Sequence, residues 1–139
     1  MAGDDKVAAA CKNLYPTWKN DCSGFVRAVA KELGVSLSGN ADAIVGAMEK
    51  GWTKTDRASC LTHVRAGHLV IAGLASKEHT KPRSNGHVVV VVDGALYRGI
   101  FPRCWSGSIA GAVGQSDGTR SVGEVWNTKD RELVKYYYK

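Results

Sequence analysis

The sequence predicts an α+β domain in which N-terminal helices pack on a central antiparallel sheet. Apolar residues recur at helical spacing before residue 52, whereas residues 69–72 and 88–92 are continuous apolar runs with the composition of buried strands. Helices followed along the chain by strands are typical of this fold class. A chain of 139 residues has the size of one domain, so we expect residues 1–139 to fold together.

Three helices are predicted in the first part of the chain. The first covers residues 4–14 and ends before Pro16, because a proline pushes the preceding residue out of the α region. The second follows Asp21, whose side chain can cap a first turn, and ends at Gly34. The third follows Asn40. The second helix carries the clearest apolar stripe, formed by Phe25, Val26, Val29, Ala30 and Leu33.

After residue 52 the pattern predicts strands separated by polar loops. The Asp-Gly pair at residues 93–94 directly follows the second apolar run and indicates a hairpin turn. Residues 133–138 are predicted to form an edge strand. The polar segment 76–85, with an exposed His79, and the glycine-rich segment 105–126 flank the second run. We expect both segments to be loops at the rims of a groove.

The chain is basic, with a net charge of +6 and a pI of about 9.3. This charge favours anionic partners such as nucleic acid, acidic lipid or a bacterial cell wall, although a basic surface that serves solubility is an equal alternative. The basic residues are scattered and do not alternate with aromatic residues, so we expect no nucleic-acid partner.

No apolar run approaches the roughly 18 residues of a membrane span, so no membrane insertion is expected. The N-terminal residues do not show a basic segment followed by an apolar one. This pattern predicts either a cytoplasmic protein or export without a cleaved signal.

The four cysteines are Cys11, Cys22, Cys60 and Cys104, and none forms a CxxC pair, which argues against zinc-ribbon and thioredoxin-like folds. If Cys22 is a free thiol, at most one disulfide can form among the other three, and its pairing stays open.

Neither a metal nor an organic cofactor is expected. Cys60, His63 and His68 match no zinc-ligand spacing. The glycines after residue 105 do not form a GxGxxG motif behind a strand, which excludes a dinucleotide site.

Cys22 is the candidate nucleophile, because it lies at the predicted start of the second helix. The positive end of the helix dipole lowers a thiol pKa, and the first backbone amides, including those of Ser23 and Gly24, can stabilise an oxyanion. The small side chains of Ser23 and Gly24 would let a substrate approach the sulfur. The carboxylate of Asp21 acts in the opposite direction on the thiol, so a cationic partner is expected.

His87 is the candidate base for that thiol. It opens the valine-rich strand, and a period of two places its side chain on the same face as Val89 and Val91. Because His87 is far from Cys22 in sequence, the fold must bring the two together. A lone cysteine or histidine is more often structural, so the two residues gain weight only as a pair.

The surrounding residues resemble a known family. Residues 20–26, Asn-Asp-Cys-Ser-Gly-Phe-Val, resemble the nucleophile motif of NlpC/P60 cell-wall peptidases. Residues 67–71 resemble the strand that follows the helices in that family, and residues 86–90 resemble its catalytic-histidine strand. The resemblance implies a papain-like fold with Cys22 as nucleophile and His87 as base.

A closer resemblance covers nearly the whole chain. Residues 10–13, 69–74, 107–116 and 121–127 are similar to type VI secretion amidase effectors of family 1. Such effectors are injected into the periplasm of rival Gram-negative bacteria, where they hydrolyse the γ-D-glutamyl–meso-diaminopimelate bond of peptidoglycan stem peptides. The resemblance implies as partners the secretion apparatus, the stem peptide and a periplasmic immunity protein. We expect a monomer that is secreted without a signal peptide.

The residue that orients His87 is left open by the sequence. NlpC/P60 enzymes usually place a polar residue on the next strand, yet residues 98–108 contain no His, Asp, Asn or Gln. Family-1 effectors are expected to carry a cysteine where this chain has Ser106. Ser106 and a backbone carbonyl are therefore both candidates for the third catalytic group.

Three alternative functions share these features. The same fold and the same acyl-thioester chemistry would serve an N-acetylmuramoyl-L-alanine amidase or a transacylase. A non-catalytic cell-wall-binding domain would keep the scaffold with Cys22 merely packed.

Overall fold

The structure, a computed structural model, describes residues 2–139 and the side chains from Lys6 onward. Three N-terminal helices precede a six-stranded sheet, which confirms the predicted α+β class. No helix in the described part of the chain is long and apolar enough to cross a membrane. The helices are α1 (Ala2–Trp18), α2 (Cys22–Glu32), α3 (Ala41–Gly51), α4 (Cys60–Arg65) and α5 (Val122–Val125). The strands are β1 (Thr53–Thr55), β2 (Val70–Leu74), β3 (His87–Tyr97), β4 (Phe101–Ser106), β5 (Ser116–Ser121) and β6 (Lys135–Tyr138).

The strands lie in the order β1-β6-β2-β3-β4-β5, and each neighbouring pair is antiparallel. His87 at the start of β3 is opposite Leu74 at the end of β2. The C-terminal strand β6 pairs with both β1 and β2, so the prediction of an edge strand at residues 133–138 is wrong. The short β1 covers its outer side, and its three residues carry too weak a local signal to be seen in the sequence.

Both faces of the sheet are covered, which confirms the prediction for the two apolar runs. Val88, Val90 and Val92 face a core built with α1, α2 and α3, whereas Val89 and Val91 face a second core with α4 and α5. This alternation is the period of two expected in a strand. Burying each such side chain contributes about 1.5–3 kcal/mol. His87 therefore lies at the start of a strand that is packed against a core on each face.

Helix α1 continues through Pro16 to Trp18, so its predicted end before the proline is wrong. Packing of the last turn explains the difference. The ring of Tyr15 packs edge-on against Phe25 at 6.1 Å and against Trp105 at 5.6 Å between ring centroids. These tertiary contacts offset the hydrogen bond that a proline removes from a helix.

The helices α2 and α3 begin where their caps predict. The Oδ1 atom of Asp21 accepts a hydrogen bond from the Gly24 amide at 3.1 Å. In α3 the Oδ1 atom of Asn40 accepts from the Ala43 amide at 2.9 Å. Gly34, with a φ of +80°, follows the end of α2 as predicted.

The hairpin turn predicted at residues 93–94 is wrong, because β3 continues to Tyr97. The chain turns instead at Arg98 and Gly99, whose φ angles of +54° and +74° fit a type I′ turn. Asp93 accepts two hydrogen bonds from the Arg65 guanidinium, at 3.1 and 3.0 Å. The β3–β4 register shifts between Val92 and Tyr97, so the Asp-Gly pair marks an irregularity inside the strand.

Candidate active site

The start of α2 presents Cys22 in a fixed position. Asp21 has an extended backbone, and its Oδ1 atom accepts from the Gly24 amide and from the Ser23 hydroxyl, each at 3.1 Å. A Cβ atom added to Gly24 would lie 2.6 Å from the Trp18 ring. The three residues predicted around the nucleophile thus build the cap, and the small size of Gly24 is required by the close approach of Trp18.

The sulfur of Cys22 lies beside the strand segment that contains His87. Its thiol donates to the carbonyl oxygen of Gly86 at a distance of 3.9 Å, and the Val88 amide also interacts with the sulfur. Strand β4 pairs with β3 only from Val90 onward, so it does not pair with this first part of β3. The structure therefore brings the predicted nucleophile to the two peptide units that flank the predicted base.

The Cys22 thiol has a raised pKa, although the amides at the helix start act in the predicted direction and lower it. Burial is the largest cause, since only 7% of the residue is exposed. The amides of Val88, Ser23 and Cys22 itself act in the opposite direction, while the Asp21 charge adds to the rise. The resting thiol is therefore protonated at neutral pH.

The imidazole of His87 lies on the face of β3 that Val89 and Val91 share, as predicted, whereas Cys22 packs in the core on the opposite face. It packs edge-to-face against Trp126, with ring centroids 4.9 Å apart and an interplanar angle of 69°. Burial lowers the pKa of His87 to about 3, and the nearby Arg83 charge contributes in the same direction. The resting base is thus neutral and can accept a proton. Its Nε2 atom is buried and makes no hydrogen bond with the described residues.

Ser106 reaches His87 through a backbone carbonyl. Its fully buried hydroxyl donates a 2.7 Å hydrogen bond to the oxygen of Gly114. The same carbonyl raises the pKa of His87, in opposition to burial, because it favours the protonated ring. A Cβ atom added to Gly114 would lie 3.4 Å from Cε1 of His87. Both groups considered for the third position are therefore present, with the carbonyl next to the ring and Ser106 behind it.

His79 is buried, with 3% of its surface exposed, so its prediction as an exposed residue is wrong. Its Nδ1 atom lies 2.9 Å from the carbonyl oxygen of Ala75, and its Nε2 atom accepts from the indole N–H of Trp126 at 3.3 Å. A lone histidine in a polar segment and a tryptophan near the C-terminus carry no periodic signal. Sequence reasoning therefore missed this contact with the ring that packs on His87.

The glycine-rich loop over residues 107–115 is attached beside the nucleophile. The Ser108 amide donates to the Lys19 carbonyl at 2.9 Å, and the Gln115 side chain donates to the same oxygen at 2.8 Å. The loop also presents Gly114 to His87. As predicted, it borders the site, and it leaves the side chains of Ile109 and Val113 largely exposed, at 71% and 75%.

Two clefts have basic linings, and each includes one residue connected to the site: Gly24 lines the first, and Arg83, whose charge acts on His87, lines the second. One, of about 510 Å³, is bounded by Trp18 and Gly24 and carries Arg27 and Lys31. The other, of about 500 Å³, lies between residues 80–83 and 127–130. It carries three cations, Lys81, Arg83 and Lys129, and one carboxylate, that of Asp130. Such clefts favour an anionic ligand.

All four cysteines are free thiols, which answers the question of pairing among Cys11, Cys60 and Cys104. Burial raises the pKa of Cys60 to about 11 and that of Cys104 to about 12, so neither has the properties of a nucleophile. Within the part of the chain that the structure describes, no group of three or more His, Cys, Asp or Glu side chains is placed to hold a metal ion.

Comparison with known proteins gives one close relative. The chain is 48% identical over 143 residues to the peptidoglycan amidase Tse1 of Pseudomonas aeruginosa. The match covers 96% of this chain and 89% of that protein, and it therefore includes the whole candidate site. No family model matches the chain.

Proposed function

The chain belongs to the family of the peptidoglycan amidase Tse1, and from this premise we propose that it hydrolyses amide bonds in peptidoglycan with Cys22 as nucleophile and His87 as acid–base. One observation carries the assignment of residues. The Cys22 sulfur, at the start of α2, lies against the peptide units on both sides of His87. Cysteine-dependent acyl transfer requires a thiol and a histidine in the same site, and these backbone contacts bring the sulfur to the segment that carries His87.

The reaction begins from a neutral pair. His87 takes the proton of the Cys22 thiol as the substrate carbonyl arrives, and the resulting thiolate attacks the carbonyl carbon. Burial makes this charge separation unfavourable in the resting enzyme, so the thiolate forms when substrate is bound. The backbone amides of Cys22 and Ser23, which already interact with the sulfur, are the donors nearest to a developing oxyanion.

The intermediate collapses when His87 returns its proton to the leaving amine. The acyl group then remains on Cys22 as a thioester, and the amine product departs. His87 next removes a proton from water, which attacks the thioester, and the proton ends on the Cys22 sulfur as the carboxylic acid is released. The proposed reaction steps use no metal ion or organic cofactor.

The bond proposed is the one between γ-D-glutamate and meso-diaminopimelate in the stem peptide. The resemblance to family-1 amidase effectors supports this choice. The charge of the protein agrees with it, since stem peptides carry free carboxylates and both clefts have basic linings. The side chains best placed to meet those carboxylates are Arg27, Lys31, Lys81, Arg83 and Lys129.

Delivery and control are proposed on the same resemblance. The protein would be exported by a type VI secretion apparatus without a cleaved signal and would act as a monomer in the periplasm of a Gram-negative target cell. An immunity protein would protect the producing cell by covering the groove between the two predicted rims.

Digestion of purified cell walls tests the function. Wild type is expected to release fragments that begin with a free diaminopimelate amine, as identified by mass analysis, and Cys22→Ala is expected to release none. Cys60→Ala makes the same substitution at a buried thiol on the other side of the sheet, and it should retain activity if folded. Sugar chains that end in free lactyl groups would instead identify an N-acetylmuramoyl-L-alanine amidase.

A non-catalytic wall-binding domain is the second candidate. The burial of both Cys22 and His87, at 7% and 4% exposure, favours it. The same digestion decides between the two, because a binding domain would release no fragments in its wild-type form while still sedimenting with the wall.

A further inference from the structure

The His87 ring interacts with the Gly114 carbonyl, and its other polar contact is missing within the described part of the chain. The Nε2 atom is buried and has no hydrogen-bond partner among the described residues. A catalytic imidazole must nevertheless be held in one orientation for proton transfer. The indole of Trp126 packs edge-to-face on the same ring, with centroids 4.9 Å apart, and so limits its orientation together with that carbonyl.

Trp126 is in turn held by His79. The indole N–H donates to Nε2 of His79 at 3.3 Å, and Nδ1 of His79 lies 2.9 Å from the Ala75 oxygen. An indole nitrogen can only donate and a carbonyl can only accept, so His79 is the neutral tautomer with the proton on Nδ1. Both residues are buried, at 3% and 4% exposure, so this hydrogen bond is shielded from water.

These contacts connect the end of β2 to the His87 side chain at the start of β3. Leu74, the residue before Ala75, is the register partner of His87. The Ala75 carbonyl, which contacts His79, therefore lies next in sequence to the residue paired with His87. His79 contacts Trp126, and Trp126 packs on the His87 ring. Because β2 and β3 are rigid and buried, the position of the indole is set relative to the backbone of His87.

We propose that His79 is a positioning residue for catalysis: it holds the indole of Trp126, and the indole limits the orientation of the His87 imidazole. This inference rests on the proposed function of Cys22 and His87. Loss of the acceptor would leave a buried indole N–H unpaired, and the indole would rotate to seek another partner. The His87 imidazole would then lose its packing contact with the indole. Misplacement of a catalytic group by about 1 Å is enough to slow catalysis on the order of 100-fold.

Variants of His79 test the role. His79→Phe keeps a ring but has no acceptor, and we expect kcat to fall about 10- to 100-fold with KM unchanged. His79→Gln keeps an acceptor oxygen, and it should recover most of that loss. His63→Phe is the matched control, because His63 stacks on Tyr138 at 3.8 Å in another part of the molecule, and its kcat should equal that of wild type.

Trp126→Phe removes the donor of the same hydrogen bond, and it tests the proposal if His79→Phe does not fold. It removes the indole N–H, so its kcat should fall to a similar extent. In the double variant, His79→Phe should cost no further kcat, because the hydrogen bond is already absent. All values are to be taken per folded molecule, with the folded fraction measured by circular dichroism.

A purely structural role predicts a different result. His79→Phe would then lower the Tm but leave kcat per folded molecule unchanged, and this outcome would overturn the proposal. Losses in kcat that add in the double variant would overturn it as well. Cys22→Ala, assayed in parallel, distinguishes failure of the proposed function from failure of the proposed role of His79. Full activity of that variant refutes the proposed function, whereas an inactive Cys22→Ala beside a fully active His79→Phe refutes only the role of His79.

Discussion

The sulfur of Cys22 lies 3.9 Å from the carbonyl oxygen of Gly86, the residue immediately before His87. This contact joins the first turn of α2 to the residue that precedes β3. Both catalytic candidates are buried there, and burial shifts the pKa of each toward its neutral form. In the proposed mechanism, a thiol and an imidazole in these states react only after a proton has passed from Cys22 to His87.

The raised pKa of Cys22 predicts slow alkylation at neutral pH. Iodoacetamide should label Cys22 of the native protein more slowly at pH 7 than it labels glutathione, and the rate should still be rising above pH 9. Peptide mapping by mass spectrometry identifies the labelled residue. A labelling rate that reaches its plateau below pH 8 would contradict the prediction. Denatured protein should react at all four cysteines, because each is a free thiol.

The lowered pKa of His87 predicts a loss of stability in acid. The unfolded ring takes up a proton near its ordinary pKa of about 6.5, whereas the folded ring takes it up only near pH 3. Between these values the unfolded state binds more protons, so stability falls as the pH decreases from 6.5 toward 3.

His87→Gln removes this group and leaves the other titrating side chains in place. Between pH 7 and pH 4 the Tm of wild type should therefore fall at least about 5 °C further than the Tm of the variant. Asp93, Asp117 and Asp130, whose pKa values are also lowered, lose stabilising charge in acid in both proteins, so their effect cancels. Scanning calorimetry across this range is the measurement, and parallel Tm curves for the two proteins would contradict the prediction.

Gly24→Ala should destabilise the protein by about 1–3 kcal/mol, because its Cβ would lie 2.6 Å from both the Trp18 ring and the Asp21 carboxylate. The cap in front of Cys22 would shift, so activity should fall as well. Gly46→Ala is the matched control inside α3, where no atom lies within 4 Å of the added Cβ. That variant should be stabilised by about 0.5–1 kcal/mol through helix propensity. Urea denaturation compares the two variants. Equal midpoints would contradict the prediction and show that the Trp18 ring can move away from the added Cβ without cost.

Ser106→Ala removes the donor that holds the Gly114 carbonyl, at a cost of about 1 kcal/mol in stability. We expect kcat to fall several-fold, since the carbonyl that supports protonated His87 would be free to move. Ser106→Cys supplies a weaker donor of similar shape and should retain more activity than the alanine variant. If Ser106→Ala had the kcat of wild type, Ser106 would have no influence on the base.

Local signals predicted the parts of the fold that depend on neighbouring residues. The cap at Asp21, the start of α2 at Cys22 and the glycine after its end follow from short-range hydrogen bonds and backbone preferences. The five valines after His87 predicted a strand covered on both faces. Where a local signal and a distant contact disagreed, the contact decided, and α1 therefore continues through Pro16 because its last turn packs against Phe25 and Trp105.

The sequence by itself determined the fold class, because a capped helix start and a valine-rich strand are recognisable from local order. Local order and the family resemblance together predicted the pair Cys22 and His87, and that assignment stays a prediction. Only the tertiary structure decided the surroundings of that pair. The burial that raises the Cys22 pKa, the Gly114 carbonyl held by Ser106, and the contact of His79 with Trp126 all join residues distant in sequence. Desolvation and long-range hydrogen bonds depend on what the folded chain places around a group, and no pattern of neighbouring residues encodes that environment.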